Sequence, residues 1–259
     1  MRLRVWQIAI VAIAMALGAA RAGDGSAVNV FGFSPDGRYF AFEQFGEQDG
    51  SGTLYSSITA IEVAGDRLIK GSPLAAALNP EDVGRSGEPR ARLLAEVRAK
   101  VAMEAAPLLA KLGISEGARL VASSPRSRSR EMLDSEPVKS VREDVVRTMT
   151  LPAEILGPDA QLVLREFDIA LPRCKNLVIE GHPNGFGLTL ERKGRPTIHL
   201  SRDQTIPEAR GCPDRYGLAE VHALRQPDDS IALAVLIQYF YHSFEGPDRR
   251  FIAITGRVR

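Results

Sequence analysis

The sequence predicts a mainly β protein with one long amphipathic helix, an α+β chain whose antiparallel sheets pack as a sandwich-like domain. Two observations carry this. Short runs with period-two alternation recur along most of the chain, separated by turn residues. A single stretch, residues 88–112, has helical spacing instead.

The chain opens MRLRVWQIAIVAIAMALGAARA. Arg2 and Arg4 form a basic start, Val5 to Leu17 an apolar core, and Ala20-Arg21-Ala22 a small-x-small cleavage signature. Residues 1–22 therefore read as a secretory signal peptide, the apolar run being too short to span a bilayer. Residues 23–259 are expected to form one secreted, β-rich domain, with a periplasmic or secreted location and no stable membrane span.

Val28 to Val63 reads as strand, turn and returning strand. In SPDG, Pro35 presets φ, Asp36 can bond the backbone ahead and Gly37 tolerates positive φ. RYFAFEQF alternates, with Tyr39, Ala41 and Glu43 on one face and Phe40, Phe42 and Gln44 on the other. EQDGSG forms a second turn before YSSITAIEV. The helix follows, at about 88–112, with Leu94, Val97, Val101, Ala105, Leu108 and Leu112 as its apolar stripe. Ser86 is placed to cap it, Pro89 suits its first turn and Gly113 its end.

Beyond Gly117 the strand signals are RLVAS, VVRTMTL, QLVLREFDIAL, LVIEG, GLTLE and TIHLS. GLTLERKGRPTIHLS makes a hairpin with Lys193-Gly194-Arg195 at its tip. SIALAVLIQYFY is continuous, the mark of a strand buried on both faces, and FIAITGRV closes the chain. Pro227-Asp228-Asp229-Ser230 ahead of IALAVLIQYF echoes the earlier Pro-Asp turn and its strand.

Two cysteines, Cys174 and Cys212, occur in an exported chain and predict a disulfide. The chain has 33 basic and 32 acidic residues. Signal removal takes three arginines and no acid, leaving a slightly negative domain, which argues against a nucleic-acid partner.

The pattern F-S-P-D-G-x-x-x-A-F from Phe33 to Phe42 resembles the repeat of TolB-type β-propellers, in which the aspartate shapes a turn. That resemblance implies an incomplete or degenerate propeller as the alternative fold. Over its length the chain also resembles a bacterial family of predicted secreted proteins of unknown function. The signal peptide, SPDGRYFAFEQFG and FEGPDRRFIAITG carry this second likeness, which implies export and a shared fold and assigns no activity.

No nucleophile elbow, zinc helix, phosphate loop or dinucleotide fingerprint occurs. The four histidines, His182, His199, His222 and His242, are scattered, and no catalytic residue, metal or cofactor is called for. Arg126, Arg128 and Arg130 alternate in a polar run suited to an anion or a linker. Binding is expected at two hairpin tips, with Glu47 and Asp49 in one and Glu245, Asp248, Arg249 and Arg250 in the other. The sequence thus points to a non-catalytic interaction module for an envelope protein or cell-wall component. The alternative is an exported hydrolase whose site assembles from distant residues.

Overall fold

The computed structural model describes residues 24–48, 50–114, 119–124, 145–175, 184–243 and 246–259. The signal peptide, Asp49, Glu245, His182, the 125–130 arginine run and the predicted strand at 177–181 lie outside them.

Three antiparallel sheets stack face to face. The N-terminal sheet contains β1 (Ala27–Phe33), β2 (Tyr39–Glu47), β3 (Leu54–Glu62), β4 (Arg67–Leu68) and β5 (Leu74–Leu78). Helix α1 (Arg90–Lys111) covers its outer face. The central sheet has the order β13 (Gly246–Val258), β12 (Ile231–Ser243), β11 (Pro213–Arg225), β6 (Arg119–Ser123). The outer sheet has the order β10 (Ile198–Arg202), β9 (Asn184–Glu191), β8 (Gln161–Asp168), β7 (Val146–Thr150). A four-residue helix, α2 (Ala153–Leu156), links β7 to β8.

Strand β12 shows why the layers stack. Over its first half the alternation is one of size, not polarity: Ala232 and Ala234, followed by the larger Leu236, face the N-terminal sheet, while Leu233, Val235, Ile237 and Tyr239 face the outer sheet. The small residues leave room for Phe33, Phe40 and Phe42, and the larger ones meet Leu162, Leu164, Phe186 and Leu188. A strand apolar on both sides needs a layer on each, as its unbroken run predicts.

Helix α1 buries Leu93, Val97, Val101 and Ala105, a strict i, i+4 row against Leu54 and Ile58 of β3. Leu93 thus takes the place expected for Leu94. Pro89 is the N-cap and no side chain caps the helix, so Ser86 does not have that role. Arg98 locks the helix down, donating from Nε and Nη2 to Glu43 at 2.8 Å each and lying 3.6 Å over the Phe45 ring.

The two Pro-Asp turns are alike. Gly37 N–H bonds the Ser34 carbonyl at 2.8 Å, and Asp229 N–H bonds the Gln226 carbonyl at 3.0 Å. Asp36 and Asp228 each accept the backbone N–H two residues ahead, and Gly37 and Asp229 have φ of 63° and 61°. The turns also touch: a Cβ on Gly37 would sit 2.6 Å from Gln226 Nε2. Asp36 is a turn former, as read from the sequence.

Strand β13 is an edge of the central sheet, yet three of its N–H groups are capped from the N-terminal part of the chain. Arg249 N–H meets the Asp24 carbonyl, Phe251 N–H meets Gln44 Oε1, and Thr255 N–H meets Asp66 Oδ1, at 2.7, 3.1 and 2.8 Å. Caps of this kind block pairing with a second chain.

Candidate binding site

The expected tip residues have diverging roles. Glu47 ends β2, and its Oε1 lies 3.5 Å from Arg90 Nε, both side chains being about 40% exposed. Asp248, Arg249 and Arg250 lie within β13 and not in a turn, because Ser243 already pairs with Gly246. Pro247 is tolerated there because β13 is an edge strand.

These three residues hold the start of the described chain. Asp248 Oδ1 accepts the Asp24 N–H at 2.8 Å, and Arg249 Nη2 donates to the Ser26 carbonyl at 3.0 Å. Arg250 pairs with the Asp24 carboxylate and lies 4.8 Å from the Tyr55 ring centre. Tyr55 donates to Asp24 Oδ1 at 3.2 Å, and its oxygen is 2.6 Å from Ser26 Oγ. Asp24 is 1% exposed, so the cluster forms an interior clasp.

His199 and His222, the histidines whose side chains are described, do not converge. His199 is exposed on β10, whereas His222 is buried near Phe40, with Nε2 3.0 Å from Glu220 Oε2. Among the described residues, no group of three histidine, cysteine or acidic side chains is arranged to hold a metal.

A second interior polar cluster surrounds Glu166, which is 3% exposed. Arg147 Nε and Asn184 Nδ2 donate to its carboxylate at 3.3 Å each. Next to it, Arg210 Nη1 donates to Asp203 Oδ2 at 2.6 Å and to the Tyr216 hydroxyl at 3.2 Å. Cys174 and Cys212 are joined as predicted, with their Cα atoms 5.6 Å apart.

Burial pushes Glu166 from the ordinary 4.5 up to about 7, against the opposing pull of Arg147. A raised folded-state value means this group's contribution is fully present below pH 4.5 and is lost as pH rises through about 7. Between pH 5 and 8 it should remove about 2–3 kcal/mol of stability. Urea titrations at both pH values should show Glu166→Gln losing less than the wild type. Parallel losses would disprove the assignment.

A concave surface at the Pro-Asp turn end holds about 420 Å³. Arg192 and Arg195 reach it from the β9–β10 turn, Arg225 from the end of β11, and Arg259 from beyond β13. Ala153, Ile155, Leu156 and Ile231 supply apolar lining, and Glu154, Asp228 and Asp229 are its acids.

The arginines differ in their engagement. Arg225 Nη2 donates to the carbonyls of Glu154 and Ile155 at 3.3 and 3.1 Å. Arg259 contacts Asp228 at 3.3 Å, but Asp228 Oδ1 already accepts from Ser230, and those bonds hold its carboxyl below the ordinary range. Arg192 donates from Nη1 to the Arg259 carbonyl at 2.7 Å, and its buried Nε has no acceptor among the described residues. Burial first, and then the charge of Arg195, hold Arg192 below the ordinary arginine value. An anion between the two would relieve both effects. The hairpin containing Arg195 was legible in the sequence, but the convergence was not.

The fold and cleft define a layered β protein with a guanidinium-lined recess. The family described as "Predicted secreted protein (DUF2259)" matches residues 41–257, and the chain belongs to it. That membership agrees with the periplasmic or secreted location read from the signal peptide. Among the described residues no helix is long and apolar enough to cross a membrane. No curated protein and no solved structure matches the chain.

Proposed function

We propose that the protein is an exported, non-catalytic binding module of the cell envelope, and that the arginine-lined cleft holds an anionic envelope component. The observation that supports this is the convergence of Arg192, Arg195, Arg225 and Arg259 on one recess with apolar lining. The recess combines these arginines and the acids Glu154, Asp228 and Asp229 with an apolar part, and well-placed polar groups are what orient a ligand in a pocket. Guanidinium groups suit carboxylate and phosphate oxygens.

The test is calorimetric titration with tripolyphosphate, comparing the wild type with Arg195→Gln and with Arg192→Gln/Arg195→Gln. Binding should weaken at least tenfold in the double variant and decline with added salt, while the melting temperature of Arg195→Gln stays unchanged. Equal affinity in all three proteins would overturn the assignment.

A further inference from the structure

A second recess of about 250 Å³ crosses the solvent face of the outer sheet. Period-two alternation turns Val163 and Arg165 of β8, Gly187, Thr189 and Glu191 of β9, and His199 of β10 to this one side. Val163, 2% exposed, is the apolar part of the floor. Gly187 adds no side chain to the floor, where a Cβ would make ordinary contacts with Arg202 Nη1 at 3.7 Å and the Phe167 ring at 3.9 Å. Arg202 lies 4.6 Å over that ring, at one end of the trough.

The trough and the cleft lie on either side of the β9–β10 turn. Glu191 and Thr197 line the trough, and Arg192 and Arg195, in the turn between them, line the cleft. From Gly187 to Glu191 the trough runs roughly 13 Å at the usual rise per residue of a strand. A chain that follows the trough past Glu191 and rounds this turn would bring a charged group to the arginines.

We infer that the ligand is an anionic glycan, with sugar rings in the trough and a carboxylate or phosphate in the cleft. This rests on the cleft reading and adds the ligand class. The trough combines three hydroxyls, a carboxylate, an imidazole and two guanidiniums, so it both donates and accepts hydrogen bonds, as sugar hydroxyls require. Thr189 Oγ1 and Glu191 Oε1 are only 3.4 Å apart, close enough to address neighbouring hydroxyls together. A protein partner would need an apolar centre and a far larger area, and Glu191 would repel a nucleic-acid backbone.

The experiment uses the mature chain and four probes: oligogalacturonate, a phosphomannan oligosaccharide, uncharged dextran and tripolyphosphate. At least one charged glycan should bind tenfold or more tightly than tripolyphosphate or dextran, and which one binds separates carboxylate from phosphate. Thr189→Val/His199→Ala should weaken that glycan at least fivefold and leave tripolyphosphate binding unchanged. If this variant binds the glycans as the wild type does, or if no glycan exceeds tripolyphosphate, the glycan inference fails and the cleft reading stands. If no charged probe binds the wild type, both fail.

Discussion

Replacing Arg250 with methionine is expected to lower the unfolding free energy by about 3–5 kcal/mol, the usual result of leaving one member of a buried pair unmatched. The side chains of Arg250 and Asp24 are 13% and 2% exposed, so solvent cannot compensate for the lost partner. The change also removes a cation from the Tyr55 and Tyr241 rings. Asp24→Asn/Arg250→Met should lose less than Arg250→Met alone, because no charge is then stranded. Urea unfolding of the three proteins decides the matter. A loss below about 1 kcal/mol in the single variant would refute the clasp, as would a double variant no more stable than the single one.

Removing the Cys174–Cys212 bridge should lower stability by roughly 3–4 kcal/mol on chain-entropy grounds, given a sequence separation of 38 residues. For a domain of this size that is a fall of about 10 °C in melting temperature. The bridge ties the end of the 3₁₀ turn Pro172–Cys174 to the residue before β11, closing the segment that carries β9 and β10. Melting curves with and without a phosphine reductant, read beside alkylation mass spectra, test this. Complete reduction without a shift would show that the bridge does not support the fold.

Much of the architecture is legible because the strand signals are local. The strand at Tyr39–Glu47, the helix at Arg90–Lys111 and the doubly buried run 231–240 of β12 each show their burial in their own spacing. Strand β11 is different. Its PDRYGLAEVHALR contains Glu220 and His222, and two register shifts break its alternation. Both polar residues are buried and hydrogen-bonded to each other, so their polarity does not mark a solvent face. The second hairpin tip was misplaced for a similar reason. Gly-Pro-Asp resembles a turn, whereas here it begins an edge strand. The cleft has no linear signature, since its arginines lie at 192, 195, 225 and 259 and meet only after the central and outer sheets stack.

The stacking order also bears on how the chain emerges during export. In a chain that crosses a membrane unfolded and N-terminus first, Phe33, Phe40 and Phe42 emerge early, and their counterparts Ala232, Leu236 and Phe251 come last. The amino-terminal Asp24 likewise waits for Arg250. A chain delivered from its N-terminus holds an uncovered aromatic sheet until nearly all of its length has crossed. For such a chain the inner core would close only after translocation, and the interval before it would be when the protein is most exposed to proteases and to self-association.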